Sequence, residues 1–235
     1  MFKITAYNVL SLSYKIVFLI GFIFFAVLYP VELVAFFRKP VWIFSVYHIV
    51  WIVVMIMTAK VLILPSKYKI ASGKQFASFY RATKKINKTK LKKAVKDNNL
   101  KALKAGGFWL SILISFSVIY FILKLDVLWV YGFALFALLL DTLYVAIWCP
   151  YRDWIIKNKC CNTCRIYEWG FWMSLGILIL VPSFWTYSIV FMTILIFIQW
   201  EYLHYKHPER FYEITNLNLK CKNCKHQAGF CKEKK

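Results

Sequence analysis

Long apolar runs, broken by short clusters of lysine and arginine, set the plan of this chain. About 20 consecutive apolar residues carry an α-helix across the hydrocarbon of a bilayer, and the first run predicts such a helix over 16–37. The turn Arg38-Lys39-Pro40 leads into a second helix over 41–64. Segments 108–125 and 127–148 give a third and a fourth, joined by the minimal turn Lys124-Leu125-Asp126. The last block, 169–202, is too long for one span and divides at Val181-Pro182-Ser183, where proline cannot continue a helix. One long tilted helix with a re-entrant piece is the alternative. The pattern predicts an all-α, polytopic integral membrane protein with six transmembrane helices in three hairpins. Its organisation is a hairpin over 1–64, a basic loop over 65–107, a hairpin over 108–148, a Cys-rich loop over 149–168, a hairpin over 169–203 and a basic tail over 204–235.

Composition agrees with the pattern. Of 235 residues, 61% are hydrophobic and 20% aromatic, with only 17% charged. A soluble domain normally carries about a quarter charged residues. The first apolar run is too long for the apolar core of a signal peptide, and no small-x-small cleavage site follows it, so the first span is expected to be retained.

Charge gives orientation. The 65–107 loop is rich in lysine against the single acid Asp97, and the 149–168 loop and the tail are also net basic. On the other side lie only Arg38, Lys39, Lys124 and Asp126. Basic loops stay in the cytoplasm, which places a multi-pass protein in the cytoplasmic membrane with both termini inside. This accounts for most of the net charge of +21, and no nucleic-acid partner is expected.

Within the basic loop, Ser72-Gly73-Lys74-Gln75 has the form of a capping box. Phe76, Phe79, Tyr80, Thr83 and Ile86 follow at helical spacing, while Lys74, Arg81, Lys84, Lys85 and Lys88 lie largely off that face. This predicts a basic amphipathic helix on an anionic leaflet of the lipid bilayer. An ordinary cytosolic helix packed on the bundle ends is the plainer reading. Asn98-Asn99 and Gly106-Gly107 read as breaks, each preceded by a short Lys-rich helix.

All seven cysteines fall on the predicted cytoplasmic face. Cys161/Cys164 and Cys221/Cys224 have Cys-x-x-Cys spacing, and a hairpin between them returns the chain to the face it left. Clustered thiols in a reducing compartment bind metal or do redox work more often than they form disulfides. A metal centre needs about four converging thiolates, and a Cys-x-x-Cys turn supplies two of them. The four cysteines therefore form a candidate site, with zinc favoured over an iron–sulfur cluster because no compact ferredoxin-like run is present. Cys149, Cys160, Cys231, His204 and His207 are reserve ligands. Unliganded loop thiols are the plain alternative.

Ionisable residues inside predicted spans are costly and draw a functional hypothesis. Glu32 and His48 lie at similar depth on either side of the Arg38-Lys39-Pro40 turn, and Asp141 lies about 10 Å from the inner end of the fourth span. A relay through the three would suit a small transporter. Hydration at the interface and a bond to a neighbouring helix are the plain alternatives. Glu201-x-x-His204 is a lone motif of its kind, whereas a di-iron bundle needs two. No phosphate loop, nucleophile elbow or His-Glu-x-x-His motif is present, so no catalytic residue is assigned.

At Cys160-Cys161-Asn162-Thr163-Cys164-Arg165-Ile166-Tyr167 and at His207-Pro208-Glu209-Arg210-Phe211 the chain resembles a group of prokaryotic polytopic membrane proteins with no established activity. The resemblance covers the C-terminal third. It implies that the cysteine loop and the tail form one unit, and it transfers no catalytic role. The functional expectation is a membrane protein with a cytoplasmic-face cysteine metal site in a structural, binding or sensing role. A redox protein with an iron–sulfur cap and a small transporter are the alternatives.

Overall fold

The structure is a computed structural model describing residues 6–42, 44–64, 70–83, 87–159 and 161–220. Among these, five helical segments are long and apolar enough to cross a membrane: Leu10–Leu28, Val46–Ile63, Lys88–Ile122, Val127–Ala146 and Phe184–Lys206.

The first apolar run is not one helix. It forms α1 (Ala6–Leu28) and α2 (Pro30–Arg38), separated at Tyr29. Pro30 lacks the N–H that would continue α1, and its fixed φ suits the first turn of a new helix. Glu32 lies in that first turn, where a carboxylate complements the helix dipole.

The second helix starts later than the pattern predicts. Pro40–Val41 (β1) pairs antiparallel with Phe44–Ser45 (β2), with Trp42 at a left-handed φ of 61°. Only then does α3 (Val46–Ile63) begin. Its start is set by His48, whose Nδ1 accepts the Ser45 backbone N–H at 3.0 Å. That local bond satisfies a donor which a continuous helix would have left to the turn before it.

Over the described residues 76–83 the expected amphipathic helix in the basic loop does not form. α4 (Ile70–Gly73) is a single turn, Ala77–Phe79 is a 3₁₀ turn, and the chain then runs extended. Tertiary contacts outweigh the helical spacing here. Thr83 N–H donates to Thr215 C=O at 3.1 Å and Leu217 N–H to Arg81 C=O at 2.8 Å, laying the segment beside the tail as a strap. Phe79 and Tyr80 are half-buried there, Phe76 likewise, and Arg81 is exposed. Lys84 and Lys85 lie outside the described residues.

α5 (Lys88–Ile122) runs unbroken for 35 residues, about 52 Å at ~1.5 Å per residue. The breaks expected at Asn98-Asn99 and Gly106-Gly107 are absent. Asn98 Nδ2 turns back to Ala94 C=O at 2.9 Å, and Ala102, Ala105 and Trp109 bury one face of the helix. That burial outweighs the ~1 kcal/mol that each glycine costs a helix interior. α6 (Val127–Ala146) follows, capped by the Asp126 carboxylate.

The last block divides where expected, but its legs are unequal. α7 (Trp169–Leu175) continues as a 3₁₀ segment, Gly176–Leu180, and α8 (Phe184–Lys206) returns after Val181-Pro182-Ser183. The outward leg spans about 20 Å, less than the ~30 Å hydrocarbon thickness. It is largely enclosed: Ser174, Leu175, Ile177 and Leu178 are all buried.

Side-chain contacts give the helix directions. Trp51 pairs with Ser188 and Gln199 with the Leu62 carbonyl, so α3 and α8 run parallel. Lys15 of α1 reaches Leu138 C=O and Thr142 of α6, while Phe22 lies against Gly132, so those helices run antiparallel. Among the described residues, one end of the bundle collects the strap, the cysteine loop and the tail through Lys220. A core of Val130, Ala134, Leu175, Leu178 and Val190 fills the middle. A second core, including Ala105, Tyr151, Cys164, Trp200 and Phe211, fills the basic end.

Candidate functional site

The cap at the basic end is built from the cysteine loop, the strap and the tail. After α6, a π-helical turn over Tyr151–Ile156 packs on α5 and is stopped by Lys157 at a left-handed φ of 55°. Asn158 Nδ2 then holds Thr163 C=O at 2.9 Å. Cys161–Thr163 forms a 3₁₀ turn, with Cys164 N–H donating to Cys161 C=O at 3.0 Å. Residues three apart eclipse in such a turn, so Cys161 and Cys164 project on the same side.

Two carbonyls fix the end of this turn. Lys74 is fully buried, and its Nζ donates to Cys164 C=O at 2.8 Å. The ammonium also sits 5.3 Å from the Trp200 ring centroid and 6.0 Å from that of Phe211. Aromatic faces help carry a desolvated cation. Trp200 Nε1 donates to Arg165 C=O at 2.8 Å. The Arg165 guanidinium makes a two-pronged ion pair with Glu201, which also accepts Trp169 Nε1 at 2.8 Å. This planar pairing ties the loop to the last helix. Lys159 adds a 3.2 Å ion pair to Glu213 of the tail.

Cys149, Cys161 and Cys164 all line one largely apolar chamber of about 570 Å³, together with Asp141, Arg152 and Trp109. The Cys149 sulfur accepts the Arg152 backbone N–H at 3.4 Å, and the Cys161 sulfur lies 3.9 Å from Tyr144 C=O. Burial pushes the Cys164 thiol up to about 11 and raises that of Cys149. Asp153, paired with Arg152 at 2.7 Å, is held below the usual carboxylate range by that bond. The indole N–H of Trp109 is buried with no hydrogen-bond partner among the described residues. Asp141 approaches α7 so closely that a Cβ on Gly170 would run into its carboxylate.

The structure brings together some of the predicted site residues. Cys161, Cys164 and Cys149 share the chamber, but no three His, Cys, Asp or Glu side chains group tightly enough to hold a metal among the described residues. Cys160, Cys221, Cys224 and Cys231 lie outside those residues. His204, a reserve ligand, is buried and bonded to the Tyr212 hydroxyl at 2.9 Å, with its ring against Phe211. His207 contacts Glu209 at 3.3 Å.

Asp141 stands apart from the other two relay residues. His48 caps α3 and packs on Trp185 at 4.5 Å, Glu32 is exposed on α2, and Asp141 lies at the basic end of α6. The packed middle core lies between Asp141 and the other two.

Sequence reasoning missed Lys74 as an interior cation and Arg165 as a clamp. Spacing gave no signal for Lys74, since its partners are 90 or more residues away. Arg165 had a weak one: it follows the cysteine turn directly, and Glu201 is an acid near the end of an apolar run. Lys15, which bonds across to α6, could have been found as a cation set inside an apolar helix.

The fold and the site together define an α-helical protein with helices long and apolar enough to span a membrane and, among the described residues, a thiol-lined cap. Comparison with known proteins finds no family model, no curated protein and no solved structure that matches the chain.

Proposed function

We propose that this chain is a multi-pass protein of the cytoplasmic membrane, with both termini and the cap on the cytoplasmic side. The cap is a binding or sensing module organised by a thiolate-held zinc ion. Its ligands are Cys161 and Cys164 from the loop with Cys221 and Cys224 from the tail. Occupancy sets how the last three apolar segments sit against the cap.

One observation carries the reading: the loop and the tail through Lys220 pack as a single unit, joined by Lys159–Glu213 and by the shared core of Cys164, Phe211 and Tyr212. Cys221 therefore follows directly from a residue held in the cap. The eclipsed Cys161–Cys164 turn fits half of a four-thiolate set. The basic loops support the cytoplasmic side, where thiols stay reduced. A metal bound there would neutralise thiolates and cross-link loop to tail.

Anaerobic purification in detergent, with metal analysis and a visible spectrum, tests this. The expected result is a colourless protein with about one zinc per chain, lost in both Cys161→Ser and Cys221→Ser. Iron with sulfide and broad visible absorbance would replace zinc by a redox cluster. Absence of both metals, with both variants as stable as the parent, would sink the metal reading.

A further inference from the structure

An open groove of about 1390 Å³ runs between the lysine-rich first half of α5 and the last turns of α8. Lys88, Lys92 and Lys96 lie along it at four-residue spacing, so they stack on one face of the helix. All three are exposed, and none pairs with a carboxylate among the described residues. The rest of the lining is mainly apolar, including Leu103, Trp169 and Phe197. Two acids also line the groove. Glu201 is engaged by Arg165 and Trp169, and Glu209 contacts His207, so the lysines dominate the free charge.

The groove sits where a membrane boundary falls. If Ile122 marks the far edge of the hydrocarbon, about 20 residues of α5 cross it, and the near edge falls close to Leu103. Leu103 is 73% exposed and Leu100, one turn further along, 55%. Both are unsuited to water and suited to acyl chains. Lys96 then lies about 10 Å beyond the edge, in reach of the headgroup layer through its flexible stem. Tyr202 and Tyr205 border the groove at the end of α8, the position where tyrosine prefers the membrane interface.

We infer that this groove seats one anionic phospholipid from the leaflet on the basic side. Its acyl chains lie along Leu103 and Phe197, and its phosphate sits on Lys96, with Lys92 and Lys88 further out adding attraction for the anionic headgroup. The inference rests on α5 and α8 crossing the bilayer and is independent of the metal reading. An anion without a tail would leave the apolar floor unfilled, and a neutral lipid would leave the lysine row unmatched.

The test uses the full chain in detergent, titrated with phosphatidylglycerol or phosphatidylcholine, with bound lipid read by native mass spectrometry. Phosphatidylglycerol is expected to bind preferentially. The Lys88→Gln/Lys92→Gln/Lys96→Gln variant should lose at least about tenfold of that affinity while behaving as the parent in phosphatidylcholine. Lys90→Gln/Lys93→Gln/Lys104→Gln removes equal charge from other faces of α5 and should lose less than about twofold. Equal losses in both variants would mean diffuse attraction and overturn the site. So would an unchanged affinity in the groove variant, or displacement of the lipid by inorganic phosphate alone. If the triple variant does not fold, Lys96→Gln alone should weaken binding about threefold or more, and unchanged affinity in it overturns the proposal.

Discussion

At the scale of single residues, the cap depends on groups that must stay in one protonation state. Cys164 is enclosed, and burial raises its thiol from about 9 in the unfolded chain to about 11. Tyr151, Tyr167 and Tyr212 are raised for the same reason. A raised acid contributes its stability fully below its unfolded value and loses it as pH climbs towards the folded one. The cap should therefore hold constant stability near neutral pH and weaken from about pH 9 to 11. A thermal melt of the metal-free protein across that range checks this, with Cys164→Ala expected to flatten the early part of the decline. A decline starting below pH 8 would point to other groups. Lys74 belongs to the same scale. A charge fully enclosed by a carbonyl and aromatic faces cannot be read from local spacing, because its partners arrive from the loop, α8 and the tail.

At the scale of elements, apolar runs located the helices better than they located the ends. The positions of α3, α5 and α6 within the chain were legible, since a membrane-length apolar helix is a strong signal. Their limits were not, because His48 delays α3 and tertiary burial extends α5 across two asparagines and two glycines. The paired glycines separate the continuous helix from a broken one. Nothing lies near Gly107, so Gly107→Ala should stabilise the protein by about 1 kcal/mol through helix propensity alone. At Gly106 an added Cβ would come within 3.3 Å of the Trp169 ring, so Gly106→Ala should gain less or destabilise. Paired thermal melts measure the difference, and a destabilising Gly107→Ala would contradict the unbroken helix. The strap is the opposite case. The helical spacing read over 76–86 gave way, in the described residues through Thr83, to pairing with the tail, whose carbonyls and amides its own local sequence could not anticipate.

At the scale of the whole molecule, the Arg165–Glu201 pair joins the cysteine loop to the last helix across a sequence gap of 36 residues. Arg165 is only 5% exposed, so removing its partner leaves a largely buried cation with no counter-ion and only the Asn99 amide oxygen as acceptor. Glu201→Gln should cost about 3 kcal/mol, and Arg165→Met less, because Glu201 is about one-third exposed and keeps its bond to Trp169. The double variant should cost clearly less than the sum, a coupling that a double-mutant cycle of unfolding midpoints would measure. Additive losses would mean that the pair does not hold loop to helix. The same pair explains why Glu201-x-x-His204 is no metal motif in this molecule: the carboxylate is committed to arginine and tryptophan, and the imidazole to Tyr212.

Hydropathy, a property of each short segment by itself, determined that the chain is α-helical with membrane-length apolar segments. It also foresaw the division at Val181-Pro182-Ser183, because proline acts locally. Only the tertiary structure decided what those segments do to one another. It made the outward leg of the last hairpin short and enclosed, turned a predicted surface helix into a strap, and drew Lys74 into the interior. It also gathered three thiols around one chamber while leaving Glu32 and His48 at the far end from Asp141. The physical reason is common to all of these. A local pattern gives the energy of a segment against solvent or lipid, whereas a buried charge, an ion pair and a shared cavity gain theirs from residues distant along the chain.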